Sequence, residues 1–171
     1  MNKINEFIIK NNYDYFLLPN TDEFFSEYLP PSEQKIKFIS GFTGSSATII
    51  FGKEKNYFFT DGRYILQAQQ QLDNSQYQII DTAKKSVIQW LKENLLEHES
   101  LAIDPNLISK SFFKKISQNV KKIIYLAANP IDEIWNLENK ILRKYSSPYL
   151  ISNKVAGKSS EEKIAEILPK I

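Results

Sequence analysis

The sequence predicts an α/β domain: a mixed, layered β-sheet flanked by helices. Two observations carry that expectation. Short apolar, β-branched runs alternate along the chain with segments whose apolar residues recur at helical spacing. In the middle, Ala47 to Phe51 and Tyr57 to Thr60 are β-type runs joined by the polar stretch Gly52 to Asn56, which reads as a hairpin. The hairpin contributes an antiparallel pair, so the sheet is expected to be mixed.

Each element follows from its local pattern. Ile4, Phe7 and Ile8 lie at helical spacing but are interrupted by Glu6 and Lys10, which describes a surface helix rather than the apolar core of a signal peptide. Tyr13 to Leu18 is a compact apolar run ended by Pro19-Asn20, hence a buried strand and then a loop carrying Asp22, Glu23 and Ser26. After Pro30-Pro31, Ser32 is expected to cap a short helix through Ile36 and Ile39 that stops at Gly41. Asp61, beside Gly62, offers an acceptor ahead of Ile65, Ala68 and Leu72, so it is expected to stop the strand and cap a helix.

Tyr77 to Ile80 is a short strand, and Ser86 opens a helix with Val87, Trp90, Leu91 and Leu95 on one face, reaching about Glu97. Leu101 to Ile103 is a strand broken by Asp104-Pro105. A helix from Ser109 to Gln118 buries Phe112 and Ile116, and Ile123 to Leu126 is the last strand. Residues 136–157, which contain Lys, Arg143, Ser and Pro148 and only a short apolar patch at Tyr149 to Ile151, read as a connector after a domain spanning 1–135. Ser159 or Ser160 then caps a helix within 158–171 whose Ile164, Ile167 and Leu168 form an apolar stripe.

Composition narrows the function. The 171 residues suit about one domain with its own core. There is no Cys, which removes disulfides and thiolate metal sites. A balance of 22 basic against 20 acidic residues gives no long-range field for nucleic acid. No run approaches the roughly 20 apolar residues that cross a bilayer, so a cytoplasmic protein with no membrane partner is expected.

Catalytic constellations are absent from the pattern. The one imidazole, His98, sits in LEHES at a helix end, where a solvated side chain is the simpler reading than a ligand or base. Thr43, Ser45 and Ser46 lack an activating partner and suit bonding to their own turn. Gly157-Lys158-Ser159 fails as a phosphate loop because position 152 is Ser. Gly41 and Gly44 lack dinucleotide spacing and suit turn geometry instead. Asp132-Glu133 and Glu161-Glu162 are adjacent acids that cannot face one another on a helix, and read as N-terminal helix charges. The aromatic pairs Phe24-Phe25, Phe58-Phe59 and Phe112-Phe113 read mainly as core, with alternate members able to line an interface.

Two short motifs, SGFTGS and TDGRY-x-LQA, stand in order with the hairpin between them, accompanied by SEYLPPSE, Asp104-Pro105, NPIDEIW and AGKSSEEKIAEI. Together they resemble the N-terminal domain of Xaa-Pro aminopeptidases, in the creatinase and prolidase superfamily. One departure is Ser46-Ala47, where the family commonly has Ala then Gly, so a backbone approach there is expected to be less open. The resemblance implies a non-catalytic domain, no cofactor in this chain, and a divalent pair of the Mn type in a separate C-terminal catalytic domain. It also implies packing against that domain or a second subunit, with peptide substrate met only through the full enzyme. The last helix would then open the next domain.

The structural motif residues under this reading are Gly41, Gly44, Asp61, Gly62 and Trp135. Arg63 and Tyr64 are the candidates for an interface or substrate entrance. A cation in the first turn of a helix opposes the macrodipole, so Arg63 needs a partner. The residue pattern favours a salt bridge or ring stack over contact with a peptide or a catalytic domain. The alternative function is a free-standing interaction or small-ligand domain of the same fold.

Overall fold

The computed structural model describes residues 3–138 and 142–170. Met1, Asn2, 139–141 and Ile171 lie outside them, so part of the expected first helix, connector and final segment is not described. Six strands form one sheet: β1 (Tyr15–Pro19), β2 (Thr48–Gly52), β3 (Asn56–Thr60), β4 (Tyr77–Asp81), β5 (Ser100–Ile103) and β6 (Lys122–Tyr125). Their order is β4-β3-β2-β1-β5-β6. β2 is antiparallel to β1 and β3, while the other three pairings are parallel, so the sheet is mixed.

Helices cover both faces, and the strand alternation sorts the core accordingly. Phe16, Leu18, Ile49, Phe51 and Phe58 point to the layer containing α1 (Lys3–Lys10), α2 (Lys35–Ser40), α3 (Ile65–Gln71) and α6 (Pro130–Asn136). Leu17, Ile50, Phe59, Leu101 and Ile103 point the other way, to α4 (Val87–Asn94) and α5 (Lys110–Ser117). Burial on both faces is why β1 reads as an unbroken apolar run rather than an alternating one. Truncating one of these buried rings, such as Phe16, to Ala would cost about 3–5 kcal/mol.

Polar side chains fix the layers. Asn5 in α1 is buried and donates to Gly52 O at 2.6 Å and Asn56 Oδ1 at 3.0 Å, which ties the first helix to the hairpin. Lys35 in α2 is nearly buried between Glu33 and Asp132, linking α2 to α6. Trp90 gathers Tyr15, Tyr57 and Phe59 around its ring, and burial pushes the Tyr15 phenol up to about 12.

Several local expectations are corrected. Ser32 is not a cap: it lies inside a 3-10 turn, Pro31–Glu33, buried with no partner for its hydroxyl among the described residues. Gln34 precedes α2 without a side-chain cap bond. The helix after Ser86 stops at Asn94, where Leu95 turns extended, not near Glu97. Ser86 and Ser109 do cap their helices, each accepting from the backbone three residues on. α6 reaches Asn136, and a short helix, α7 (Asn153–Ala156), sits within the expected connector. Ser159, not Ser160, caps α8 (Ser160–Ile167) through a capping box with Glu162.

Candidate functional site

Strand direction assembles the site. Because β2 runs against both β1 and β3, the residues leaving β1, entering β2 and leaving β3 all meet at one rim of the sheet. This is the carboxyl end of the parallel strands, where open α/β sheets place ligands. It brings together Asn20, the segment 41–46 and the segment 61–64. Asn20 closes the corner by donating from Nδ2 to Ser45 O at 2.8 Å and from its backbone to Ala47 O at 3.0 Å.

The glycines act through two different requirements. Gly41 ends α2 at φ 77, in the left-handed region, and its N–H donates to Lys37 O at 2.9 Å. The chain thereby turns Phe42 into the core, edge-on to Phe58 and Tyr64 with centroids 4.8 and 6.0 Å away. Gly44 is a matter of space: a Cβ there would stand 2.4 Å from Phe42 Cζ and 2.8 Å from Tyr64 Cδ1. Its absence lets both rings close beneath the loop. Gly62 has nothing within 4 Å of a Cβ position, so nothing in the structure requires glycine there.

Hydroxyls and amides then clamp the loop. The Tyr64 and Ser45 hydroxyls are hydrogen-bonded at 2.8 Å. Thr43 donates its N–H to Gln71 Oε1 at 2.9 Å, and its Oγ1 accepts from Gln67 and Gln71 of α3. Thr60 Oγ1 donates to Ser46 O at 2.6 Å. These hydroxyls hold the loop, but Thr43 and Ser45 do so through side chains of the 64–71 segment rather than through their own turn, which corrects the sequence reading.

Asp61 ends β3 but does not cap α3, a correction to the sequence reading. Its Oδ1 accepts from the Arg63 N–H and Nε at 3.1 and 2.9 Å, and its Oδ2 accepts from Nη2 at 2.9 Å. With Tyr64 N–H bonded to Asp61 O, the chain makes a full turn first, and the helix begins only at Ile65. The side-chain bonds from Arg63 hold the Asp61 carboxyl well below the usual carboxylate range, with a further contribution from Ser46. Arg63 is raised in turn, lies over the Tyr64 ring at 5.3 Å, and keeps its side chain 74% exposed. Trp135 belongs elsewhere: it stacks on Phe38 of α2 at 4.7 Å, binding α6 to α2.

Beside the rim lies a hollow of about 200 Å³ lined by Tyr28, Lys37, Thr43 and Ser45 among others. Its outer wall belongs to the loop after β1, where the sequence reading assigned no role to Asp22. Asp22 is fully buried and accepts from Phe24 N, Ser26 N and Ser26 Oγ, and from Arg143 Nη1 at 3.3 Å. An acid four residues before Ser, just after Pro-Asn, was the signal for that loop. Arg143, which also lies over Phe24 at 4.7 Å, had none. Phe24 and Phe25 are exposed, unlike Phe58 and Phe59.

Among the described residues no group of three or more His, Cys, Asp or Glu could hold a metal ion. His98 occupies an exposed turn after α4. The donor set of the described residues therefore does not fit a metal pair. Among the described residues no helix is long and apolar enough to cross a membrane.

Comparisons with known proteins agree with this geometry. A probable Xaa-Pro aminopeptidase P of Laccaria bicolor is 33% identical over 96% of this chain, which matches 26% of that protein. Its counterpart in Penicillium rubens is 31% identical over 98% of this chain and 28% of its own length. The chain thus spans about a quarter of the curated relatives it matches. The X-prolyl aminopeptidase of Caenorhabditis elegans, described as a cytosolic enzyme with a di-nuclear active site, superposes with a TM-score of 0.77 at 27% identity, over 92% of this chain and 26% of that one. A creatinase/prolidase-like N-terminal domain from Corynebacterium diphtheriae shares the fold with a TM-score of 0.53 at 20% identity, over 72% of this chain and 90% of that one. Residues 1–134 match the sequence profile of one family across the whole six-stranded sheet, and the chain belongs to it: the Creatinase/Prolidase N-terminal domain family.

Proposed function

We propose that this domain is the non-catalytic partner of a metallopeptidase domain in an Xaa-Pro aminopeptidase-like protein of the cytoplasm. Its rim packs against the catalytic domain or a second subunit and shapes the substrate entrance. The parent reaction is metal-assisted hydrolysis that frees the N-terminal residue of peptides with Pro in second place. A divalent pair of the Mn type belongs to the catalytic domain, outside this chain.

The observation that carries the reading is Arg63. Its guanidinium is fixed by a fork to Asp61 yet stays largely exposed, with N–H donors to spare. That is a preorganised cation on a rim where, among the described residues, no group of three or more His, Cys, Asp or Glu gathers. The names of the relatives and the di-nuclear site described for the nematode enzyme support the division of labour.

A peptidase assay tests it. This chain with added Mn²⁺ is expected to leave an Xaa-Pro peptide intact, and appreciable cleavage would refute the proposal. Supplied with a catalytic domain from a relative, it is expected to co-elute with that domain in size exclusion. Arg63→Ala is expected to lower kcat/KM of the mixture several-fold without changing the far-ultraviolet circular dichroism of the domain. An independent monomer with no binding would favour a free-standing domain instead.

A further inference from the structure

Charge is unevenly placed in this chain. From Pro105 to Ile131 there are five lysines, Lys110, Lys114, Lys115, Lys121 and Lys122, and no carboxylate. Taking these five from the 22 basic residues leaves 17 against 20 acidic ones, so the rest of the molecule is net acidic. All five are exposed, on α5 and at the start of β6, and among the described residues no ion pair engages them. Lys110 directly follows the cap Ser109, where the macrodipole disfavours a cation. The helix itself gains nothing from that placement.

The same edge holds an open strand and an apolar hollow. β6 is the last strand of the sheet and, among the described residues, pairs with β5 alone. Leu126 N–H donates to Ile103 O, and by alternation the N–H and C=O of Ile123 and Tyr125 turn to the open edge. Tyr125 is 58% exposed. Next to it, Ile103, Pro105, Ile108, Lys110 and Phe113 line a hollow of about 300 Å³ on the α5 side of the sheet.

We propose that this edge is a docking site for an acidic polypeptide segment: the segment adds as a strand along β6, seats one apolar side chain in the hollow, and sets carboxylates against the lysines. Strand addition uses backbone groups for affinity and the hollow for specificity, with charge complementarity steering approach. A nucleic acid suits the edge less well, because the Phe113 and Tyr125 rings pack on each other, tilted by 46° with centroids 6.0 Å apart, and the edge carries no arginine. A membrane suits it less well because the apolar surface is concave.

The test uses the whole chain and a fluorescein-labelled peptide of about ten residues with a central aliphatic run flanked by Glu. Anisotropy is expected to show binding that weakens as salt rises. The triple variant K110E/K114E/K122E is expected to weaken binding about tenfold or more, while K84E, just after β4 at the opposite edge of the sheet, leaves it unchanged. Peptide is also expected to slow amide exchange at Ile123 and Tyr125. Circular dichroism checks that the triple variant stays folded, and Tyr125→Ala is a second, uncharged probe expected to weaken binding several-fold. No binding would mean that the lysines only guard an edge strand, which overturns the proposal. So would full binding by the triple variant, or a preference for single-stranded oligonucleotide or phosphatidylserine vesicles over the peptide. The proposal is independent of the metallopeptidase reading, which survives its failure.

Discussion

Asp22 orders a loop that has no regular structure of its own. One carboxylate takes two backbone N–H groups, the Ser26 hydroxyl and the Arg143 guanidinium, and holds Phe25 at φ 54, a conformation large side chains rarely adopt. Burial pushes its pKa up, but the bonds from Ser26 and Phe24 and the Arg143 charge outweigh burial and lower it. A lowered folded-state value means that the carboxylate stabilises the fold above its ordinary 3.8, and that this stability is lost as pH falls through and below that value. Asp22→Asn is expected to cost about 1–3 kcal/mol at neutral pH, since it removes charge from bonds that stay buried. Urea denaturation should show the deficit shrinking toward about pH 3; an unchanged deficit there would contradict the linkage.

Polar caps add to the apolar faces that hold the elements of this domain, and α6 shows it best. Asn129 caps α6 by accepting from Ile131 N–H at 3.0 Å, while its Nδ2 donates to Asp104 Oδ2 at 3.0 Å. Asp104 in turn accepts from Asn106 N–H and turns the chain after β5. One buried amide thus joins the ends of β5 and α6. Asn129→Ala is expected to destabilise the chain by about 1–2 kcal/mol in thermal denaturation, the usual worth of a cap, and Asn129→Asp to do no better because it sets a second carboxylate against Asp104. α8 is the opposite case: its capping box is complete, yet Ile164, Ile167 and Leu168 remain more than half exposed. Local signals suffice to start that helix, and no core in the described residues receives its stripe.

At the scale of the molecule, the two buried clusters belong to the sheet and the helices α1 to α6. α7 and α8 bury no residue, and Arg143 is what ties the segment 142–170 to the loop of Asp22. Shortening the chain to end at Glu138 is therefore expected to preserve a single cooperative melt, with a loss of about 1–3 kcal/mol from the Arg143 contact. Circular dichroism melting curves check this; disappearance of the transition would show that the later segment supports the core. The open β6 edge and the Arg63 rim lie at different places on this sheet, so partners at the two surfaces need not compete.

The α/β class, the six strands and the central hairpin were legible because apolar period and turn chemistry are local, and burial on both faces writes itself as unbroken runs such as Phe16-Leu17-Leu18. Gly41 was legible for the same reason, since a helix stop needs only its own φ. Asp61 and Ser32 were misread because each offered the right local signal while a neighbour took the role: Arg63 occupied one carboxylate, and Pro31 began a 3-10 turn around the other side chain. Tertiary structure alone decided the remainder. Strand direction carried 41–46 to 61–64, close packing of two rings made Gly44 obligatory, and Arg143 reached Asp22 across 121 positions of chain. Contacts between residues distant in sequence leave no period to read, because their geometry exists only once the sheet has closed.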